Sequence, residues 1–95
     1  MLVEMYRIKN LESSRNQDVG EALKNAQQSL KGLPGCLGQR LLIDLDNSGA
    51  YIAVSYWADN RSRANANAIH AALDRALQGF RLEKATTVYN VVQEI

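Results

Sequence analysis

The sequence has a single cysteine, Cys36, and a single histidine, His70, among its 95 residues. One cysteine cannot form a disulfide within the chain, and this pair is too small a set of soft ligands for a zinc site. The chain also lacks clustered haem ligands and a glycine-rich dinucleotide fingerprint. We therefore expect a protein without a metal, a flavin or a haem.

Strong charge and long apolar runs are also lacking. The formal net charge is +1, from 11 basic and 10 acidic residues, and without a basic cluster the chain is not expected to bind nucleic acid. No apolar run approaches the roughly 20 residues of a membrane span, and no basic segment precedes an apolar stretch at the N-terminus. These features predict a soluble, cytoplasmic protein that forms one domain over residues 1–95.

The stretch from Leu33 to Trp57 predicts a β-hairpin. Residues 37–45 and 50–57 are rich in Leu, Ile, Val and Tyr, and the turn formers at 46–49 separate them. If Leu45 faces Ala50, one face is almost wholly apolar. The other face is then mixed, with the pairs Asp44 and Tyr51, Leu42 and Ala53, Arg40 and Ser55, and Gly38 and Trp57. A bulged loop would shift the pairing by one residue and set Asp44 against Ile52.

Neither face of this hairpin is plainly suited to water. A hairpin alone cannot bury both of its faces, so one face requires the rest of the chain and the other a second copy of the protein. A chain of this length buries only about two-thirds of its unfolded surface, so dimerisation would also stabilise it. The sequence thus predicts a homodimer.

The segments outside the hairpin predict two strands and two helices. Residues 1–8 form the first strand, and a helix begins at Ser14, which Gln17 completes as a capping box, and closes at Gly32. The second helix and the last strand follow the hairpin: the helix begins at Asp59 or Asn60 and ends near Gln78, and the strand covers 86–92. The order βαββαβ predicts an α+β protein of the ferredoxin-like type, a sandwich of two helices on a four-stranded antiparallel sheet.

The inward face of the second helix is predicted to consist mostly of alanine. A helical wheel centred on Ile69 collects Asn65, Ala68, Ala72, Leu73, Ala76 and Leu77. These small side chains either leave a pocket beneath the helix or let it lie close to the sheet. If the mixed hairpin face lies opposite, the pocket would suit a flat, mildly acidic aromatic molecule.

Two stretches give the chain a family resemblance. They are GLPGCLGQRLLID at 32–44, a Pro-Gly followed by a strand, and SYWADN at 55–60, an aromatic residue before a short polar cap and a helix. With these stretches the chain resembles the antibiotic biosynthesis monooxygenase family. The resemblance implies a homodimer, a dimeric α/β barrel in which two sheets pack face to face, with a small-molecule pocket between each sheet and its helices.

The family resemblance also implies a range of chemistry. Activities in the family include cofactor-free oxygenation of phenols and quinols, haem degradation, and isomerisation or breakdown of small signalling molecules. The haem-degrading branch uses an Asn late in the first strand and a Trp and a His on the second helix. Here Arg7 stands in that strand and Trp57 precedes the helix, so haem chemistry is not carried over to His70.

The candidate catalytic residues are His70 as a base and Arg40 as a cation that holds a phenolate or carboxylate. Each has a plainer alternative: His70 can lie exposed one helical turn from Asp74, and Arg40 can pair with Asp44. The candidate substrate-binding residues are Trp57, Asn65, Tyr51, Ser55 and Ala72. Trp57 could equally fill the core, Asn65 could bond a backbone carbonyl, and a half-buried strand tyrosine requires no function.

Two classes of function are consistent with these residues. One is a cofactor-independent monooxygenase that deprotonates a small phenolic or quinol-type substrate for reaction with oxygen. The other is a non-catalytic dimeric module that binds a small molecule or serves as a structural domain. The distinction depends on whether the polar groups converge on one cavity.

Overall fold

The computed structural model describes the backbone of residues 1–95 and every side chain except that of Ser48. The strands are β1 Leu2–Asn10, β2 Cys36–Asp44, β3 Asn47–Trp57 and β4 Leu82–Asn90, and the helices are α1 Asn16–Gln28 and α2 Ala66–Ala76. The four strands form one antiparallel sheet in the order β2-β3-β1-β4. This arrangement confirms the predicted ferredoxin-like α+β fold.

The core lies between the helices and one face of the sheet. Alternate residues of β1 point into it, including the buried Tyr6 and Ile8. The other members of the core cluster are Val19, Leu23, Tyr51, Ala53, Trp57, Ala66, Ile69, Leu73 and Leu77. Every member is apolar or aromatic, so burial of apolar surface explains why both helices pack on this face.

The hairpin loop begins one residue earlier than predicted and ends three residues earlier. Asp44 pairs with Asn47, so the loop consists of Leu45 and Asp46. The Asp44 side chain causes the early turn, because its Oδ1 accepts a hydrogen bond from the backbone N–H of Asp46 at 2.9 Å. An Asp that bonds the backbone two residues on closes a turn by itself, and Asn47 is therefore part of β3.

The predicted hairpin register is wrong, and so is the alternative shift. An irregularity between Ile43 and Asp44 takes up extra residues of β3, so that Ile43 pairs with Tyr51, Leu41 with Ala53 and Arg40 with Val54. A slip of one residue moves every side chain of a strand to the other face. Leu41 therefore packs against the core, and Arg40 lies on the opposite face from Tyr51 and Ser55.

Both helices are entered through a 3-10 turn, and this differs from the predicted caps. At α1 the turn covers Ser13–Arg15 and no side chain caps the helix, so the capping box at Ser14 does not form. Asn10 holds this entry instead, because its Nδ2 donates to Asn16 Oδ1 at 2.8 Å and to the Glu12 carbonyl at 2.6 Å.

Before α2 the 3-10 turn covers Ser62–Asn65. Asp59 Oδ1 accepts the backbone N–H of Ser62 at 2.7 Å, and this hydrogen bond is the main cause that lowers the pKa of Asp59. Asp59 thus stabilises the turn, but the predicted start of the second helix at Asp59 or Asn60 is wrong, because α2 begins only at Ala66 and no side chain caps it. Its buried residues are consequently Ala66, Ile69 and Leu73.

Gly35 lets the segment before β2 lie against the turn before α2. Its φ is +75°, in the left-handed region that favours glycine. A Cβ at this position would lie 2.1 Å from Ser62 Oγ, and the Gly35 carbonyl accepts the backbone N–H of Ala58 at 3.0 Å. The Pro-Gly pair of the sequence therefore fixes where the hairpin meets the second helix.

The sheet face without helices carries a row of apolar side chains. They include Val3 and Met5 on β1, Leu42 on β2, Ile52, Val54 and Tyr56 on β3, and Tyr89 on β4. Leu42 is 43% exposed and Tyr89 52% exposed in the single chain.

No helix within the described part of the chain is long and apolar enough to cross a membrane.

Candidate functional site

A row of three polar residues crosses the helix-facing side of the sheet. Gln39 of β2 pairs with Ser55 of β3, which pairs with Glu4 of β1. Neighbouring strands lie about 4.8 Å apart, so Gln39 and Glu4 are about 10 Å apart across the sheet. Burying polar groups in an apolar core has a cost unless they find partners. At this row the core therefore contains polar groups that require partners.

Glu4 is the most buried charged residue, with 2% of its side chain exposed. Its Oε2 lies 3.2 Å from Arg63 Nη1, and its Oε1 contacts His70 Nε2. A carboxylate buried to this degree requires opposite charge or hydrogen-bond donors. The two partners come from α2 and the turn before it, so the packing of α2 on the sheet assembles the cluster.

His70 lies on top of Tyr6, the next inward residue of β1 after Glu4. The two rings stack with centroids 4.4 Å apart and planes 30° from parallel. The side chain of His70 is 25% exposed, so the imidazole bridges the buried Glu4 and the surface. The sequence left open an exposed His70 beside Asp74, and the structure instead shows a half-buried imidazole bound to a carboxylate.

A second polar chain leads from Tyr6 to the surface. The Tyr6 hydroxyl donates to Asp74 Oδ1 at 2.7 Å, and Lys84 Nζ lies 2.9 Å from the same oxygen. Burial raises the pKa of Tyr6, and so do the hydrogen bond and the negative charge of Asp74. Burial would also raise the pKa of Asp74, but the hydrogen bonds from Lys84 and Tyr6 and the nearby positive charges lower it.

Trp57 contacts the polar row through Ser55. The indole is fully buried, and its N–H donates to Ser55 Oγ at 2.8 Å. Trp57 therefore fills the core, which is one of its two predicted roles, while it orients Ser55 beside Glu4.

No group of three or more potential metal ligands occurs among the described residues.

Two spaces meet at this row. The inner gap is bordered by Glu4, Tyr6, Ser55, His70, Gln27 and Gln39 and, among the described atoms, is too small to admit a water molecule. The outer cleft lies between α1 and the start of β2, with a volume of about 440 Å³, and opens to solvent. Gln27 and Gln39 border both spaces. These two amides therefore separate the cleft from the carboxylate and imidazole.

The predicted site residues are only partly brought together. His70 and Ser55 border the inner gap. Tyr51 borders a separate cavity of about 240 Å³ along α1, and its hydroxyl donates to the Asn16 carbonyl at 3.2 Å. Arg40 points to the open face, where its guanidinium lies 5.9 Å from the ring centre of Tyr56. The predicted place of Arg40 beside Ser55 is thus wrong, because the register differs.

The predicted pocket beneath an alanine face is also wrong. Asn65 Nδ2 donates to the Pro34 carbonyl at 2.7 Å, which is the backbone alternative that the sequence left open. Ala68 is exposed and Ala72 half-buried, and neither borders a described cavity. The late start of α2 at Ala66 explains the difference, because it leaves Asn65 in the preceding turn.

Sequence analysis missed Glu4, Gln39 and Arg63. A signal existed for Glu4, because it occupies an inward position of β1 between Leu2 and Tyr6, where a charge interrupts the apolar alternation. Gln39 could not be found in this way, since the predicted register set it against Tyr56 instead of Ser55. Arg63 comes from a turn, and no periodicity indicates where a turn residue points.

The fold and the cluster define a small ferredoxin-like protein with a buried acid–base group beside an open cleft. A sequence model of the family described as "Antibiotic biosynthesis monooxygenase" matches residues 1–72, which extend from β1 into α2. The chain belongs to the antibiotic biosynthesis monooxygenase family, which confirms the resemblance found in the sequence. No curated protein matches it.

Solved structures with the same fold include three with informative names. A Deinococcus radiodurans protein assigned to the antibiotic biosynthesis monooxygenases has a TM-score of 0.81 and 17% identity, covering 100% of this chain and 96% of its own. SnoaB of Streptomyces nogalater, a cofactor-independent oxygenase, has a TM-score of 0.77 and 16% identity, and the match covers 99% of this chain and 95% of SnoaB. MhuD of Mycobacterium tuberculosis, a heme-degrader, has a TM-score of 0.73 and 19% identity, and the match covers 100% of this chain and 99% of MhuD. Identities this low show the fold alone.

Proposed function

We propose that this protein is a cofactor-independent monooxygenase that acts on a small phenolic or quinol-type substrate, with His70 as its base. The observation that supports this most directly is the contact between His70 and the buried Glu4, which only Gln27 and Gln39 separate from a cleft of a size suited to a small molecule. Membership of the family and the name of SnoaB are consistent with the proposal.

The contact with Glu4 assigns a role to each nitrogen of His70. Because an ionised carboxylate can only accept hydrogen bonds, we propose that Nε2, which contacts Glu4 Oε1, carries the proton and that Nδ1 is the acceptor. A histidine in this arrangement can take a proton from a substrate hydroxyl, and the negative charge of Glu4 stabilises the imidazolium that forms. Arg63 balances Glu4 when His70 is neutral, so the carboxylate is partnered throughout.

Deprotonation makes the aromatic ring electron-rich enough to react with dioxygen. One oxygen atom enters the ring, the ring loses two hydrogens, and the second oxygen atom leaves with them as water. Dioxygen is thus both the oxidant and the source of the inserted atom, and the balance requires no external reductant. Within this scheme the protein binds the ring, accepts the first proton at His70 and shields the anion from water.

Oxygen uptake tests the proposal directly. We expect a panel of naphthalene and anthracene quinols to include one whose oxygen consumption rises with protein concentration, and His70→Gln to reduce kcat by about 10²–10⁴-fold. Asn67→Ala, at an exposed position of α2, is the matched control and should retain activity within about twofold. Oxygen uptake that never exceeds the protein-free rate across the panel would contradict the proposal.

A second candidate is a non-catalytic binding module, and the small inner gap favours it. In the structure the carboxylate and imidazole are separated from the cleft by Gln27 and Gln39, so a ligand in the cleft need not reach them. This candidate predicts that an aromatic ligand binds in the cleft, that no oxygen is consumed, and that His70→Gln leaves the affinity unchanged.

The residues present do not fit a haem site. His70 is the only imidazole of the chain, its Nε2 is turned to Glu4, and the gap beside it cannot hold even a water molecule among the described atoms. Tight haem binding that is lost in His70→Ala would overturn this assignment.

We further propose that the protein is a homodimer that associates through the open face of the sheet. The apolar residues of that face include Leu42, Ile52 and Tyr56, and one of them, Leu42, is 43% exposed in the single chain. An apolar row on a sheet face that no helix covers is typical of an interaction site. The predicted cytoplasmic location remains a prediction.

A further inference from the structure

Gln39 is held in one orientation by its surroundings. Its Nε2 donates at 2.8 Å to the carbonyl of Leu30, two residues beyond the end of α1. A carbonyl oxygen can only accept, so the amide cannot flip without losing this hydrogen bond. The Oε1 atom is consequently fixed on the other side, where it is buried and has no hydrogen-bond partner among the described residues.

An unpartnered buried acceptor is unusual. Most buried polar atoms in proteins have a partner, and leaving one without a partner destabilises the fold. Gln39 lies between the outer cleft and the inner gap and borders both. A ligand hydroxyl that reaches Gln39 from the cleft would supply a donor to one of the two buried side-chain oxygens that have no hydrogen-bond partner among the described residues, the other being Glu4 Oε1.

The neighbours of Gln39 limit what this donor can be. The inner gap also contains the Glu4 carboxylate, which is an acceptor, so a ligand group that offers only lone pairs would meet two acceptors. The body of the ligand would lie in the cleft against Leu37 and the methylene groups of Lys24 and Lys31. A flat aromatic ring with a hydroxyl meets both requirements, whereas its methyl ether meets only the second.

We infer that Gln39 is a specificity-determining residue whose Oε1 accepts a hydrogen bond from an aromatic hydroxyl of the ligand and thereby selects phenols over their methyl ethers. This inference rests on the proposed function for the class of ligand and names the residue that recognises it. Gln27, on α1, also lies between the cleft and the inner gap. It is held there because its Nε2 donates to the Arg40 carbonyl at 3.1 Å.

Calorimetric binding of 1-naphthol and 1-methoxynaphthalene, in the absence of oxygen, tests the inference. Wild-type protein should bind 1-naphthol about tenfold more tightly than the ether, the preference that one hydrogen bond supplies. In Gln39→Met, which keeps the length of the side chain but removes the acceptor, the two affinities should become equal. Gln78→Met, an exposed glutamine beyond α2, should keep the wild-type preference.

A measurement on the unaltered protein guards against a variant that fails to fold. Addition of 1-naphthol should shift the side-chain amide resonances of Gln39 in an NMR spectrum, and the ether should leave them in place. Equal affinities in the wild type, a preference that survives in Gln39→Met, or binding of neither probe would overturn the inference.

The outcomes also separate this inference from the proposed function. Hydroxyl preference that depends on Gln39, without oxygen uptake on any quinol, would support the inference and contradict the monooxygenase. Oxygen uptake that depends on His70, with equal binding of 1-naphthol and its ether, would overturn the role of Gln39 alone.

Discussion

His70 contacts Glu4 from the opposite layer of the fold, with Nε2 of the imidazole against Oε1 of a carboxylate that is 2% exposed. The two residues are 66 positions apart in the sequence. The described core cluster contains no second carboxylate and no second imidazole. The contact exists because α2 packs across β1, and the same packing brings in Arg63. Charge balance around Glu4 is therefore a property of the assembled fold.

Removing Arg63 should be more harmful than removing the charge of Glu4. Arg63→Met leaves a buried carboxylate with one partner, and we expect it to lower the free energy of unfolding by about 1–3 kcal/mol. Glu4→Gln leaves a guanidinium and an imidazole that still reach water, so its cost should be smaller. Urea unfolding of both variants and of the double variant measures these costs, and the double variant should be more stable than the sum predicts, by about 0.5–2 kcal/mol. Additive costs would show that the ion pair contributes nothing.

Gly20→Ala should destabilise the protein even though Gly20 is helical. Alanine normally stabilises a helix by up to about 1 kcal/mol relative to glycine, but a Cβ here would lie 2.6 Å from the Tyr51 hydroxyl. Displacing the phenol also breaks its hydrogen bond to the Asn16 carbonyl. We expect a net loss of about 1–2 kcal/mol in urea unfolding.

The background Tyr51→Phe provides the control for this prediction, because it removes the hydroxyl oxygen that the new Cβ would meet. The cost of Gly20→Ala should be clearly smaller in that background. An identical cost in both backgrounds would mean that the contact with Tyr51 does not decide the effect.

Stability should fall at both ends of the pH range for separate reasons. The pKa of Asp74 is lowered in the folded state, so its contribution is present above the ordinary aspartate pKa and is lost as the pH falls below about 4. The pKa of Tyr6 is raised, so its contribution is present below the ordinary tyrosine pKa and is lost as the pH rises above about 10. Urea unfolding across the pH range measures both losses.

Two substitutions assign these losses to their groups. Asp74→Asn should flatten the acid side of the profile, and Tyr6→Phe should flatten the alkaline side and also part of the acid side, because it removes a hydrogen bond that lowers the pKa of Asp74. If Tyr6→Phe leaves the alkaline loss as steep as in the wild type, the burial of the phenol is not its cause.

The protein should be a homodimer with a mass of about twice the 10.6 kDa of the chain in light scattering at micromolar concentration. Leu42→Lys should yield a monomer that remains folded, because Leu42 is already 43% exposed in the single chain. Ala71→Lys places the same charge on the exposed side of α2 and should leave the dimer intact. A wild-type mass near that of one chain would contradict the dimer.

The fold was largely determined by local patterns. The turn formers after Asp44, the alternation in β1 and the apolar spacing of the helices each depend on residues close in sequence, and they were sufficient to predict the order βαββαβ. The Pro-Gly before β2 was equally local, because the left-handed φ of Gly35 is a property of that residue. The family resemblance followed from the stretch that contains this Pro-Gly, residues 32–44, and from SYWADN at 55–60.

The candidate site depended on the tertiary structure. Asp44 closed the hairpin early, the register moved by one residue, and Arg40 came to lie on the other face of the sheet from Ser55. Because side chains alternate with a period of two, an error of one position in pairing reverses every assignment on that strand. The sequence by itself determined which elements form, whereas the contacts of Glu4 with His70 and Arg63 arise only when α2 packs across the sheet. Chain positions so far apart are brought together by the burial of the common core, and no local pattern records that packing.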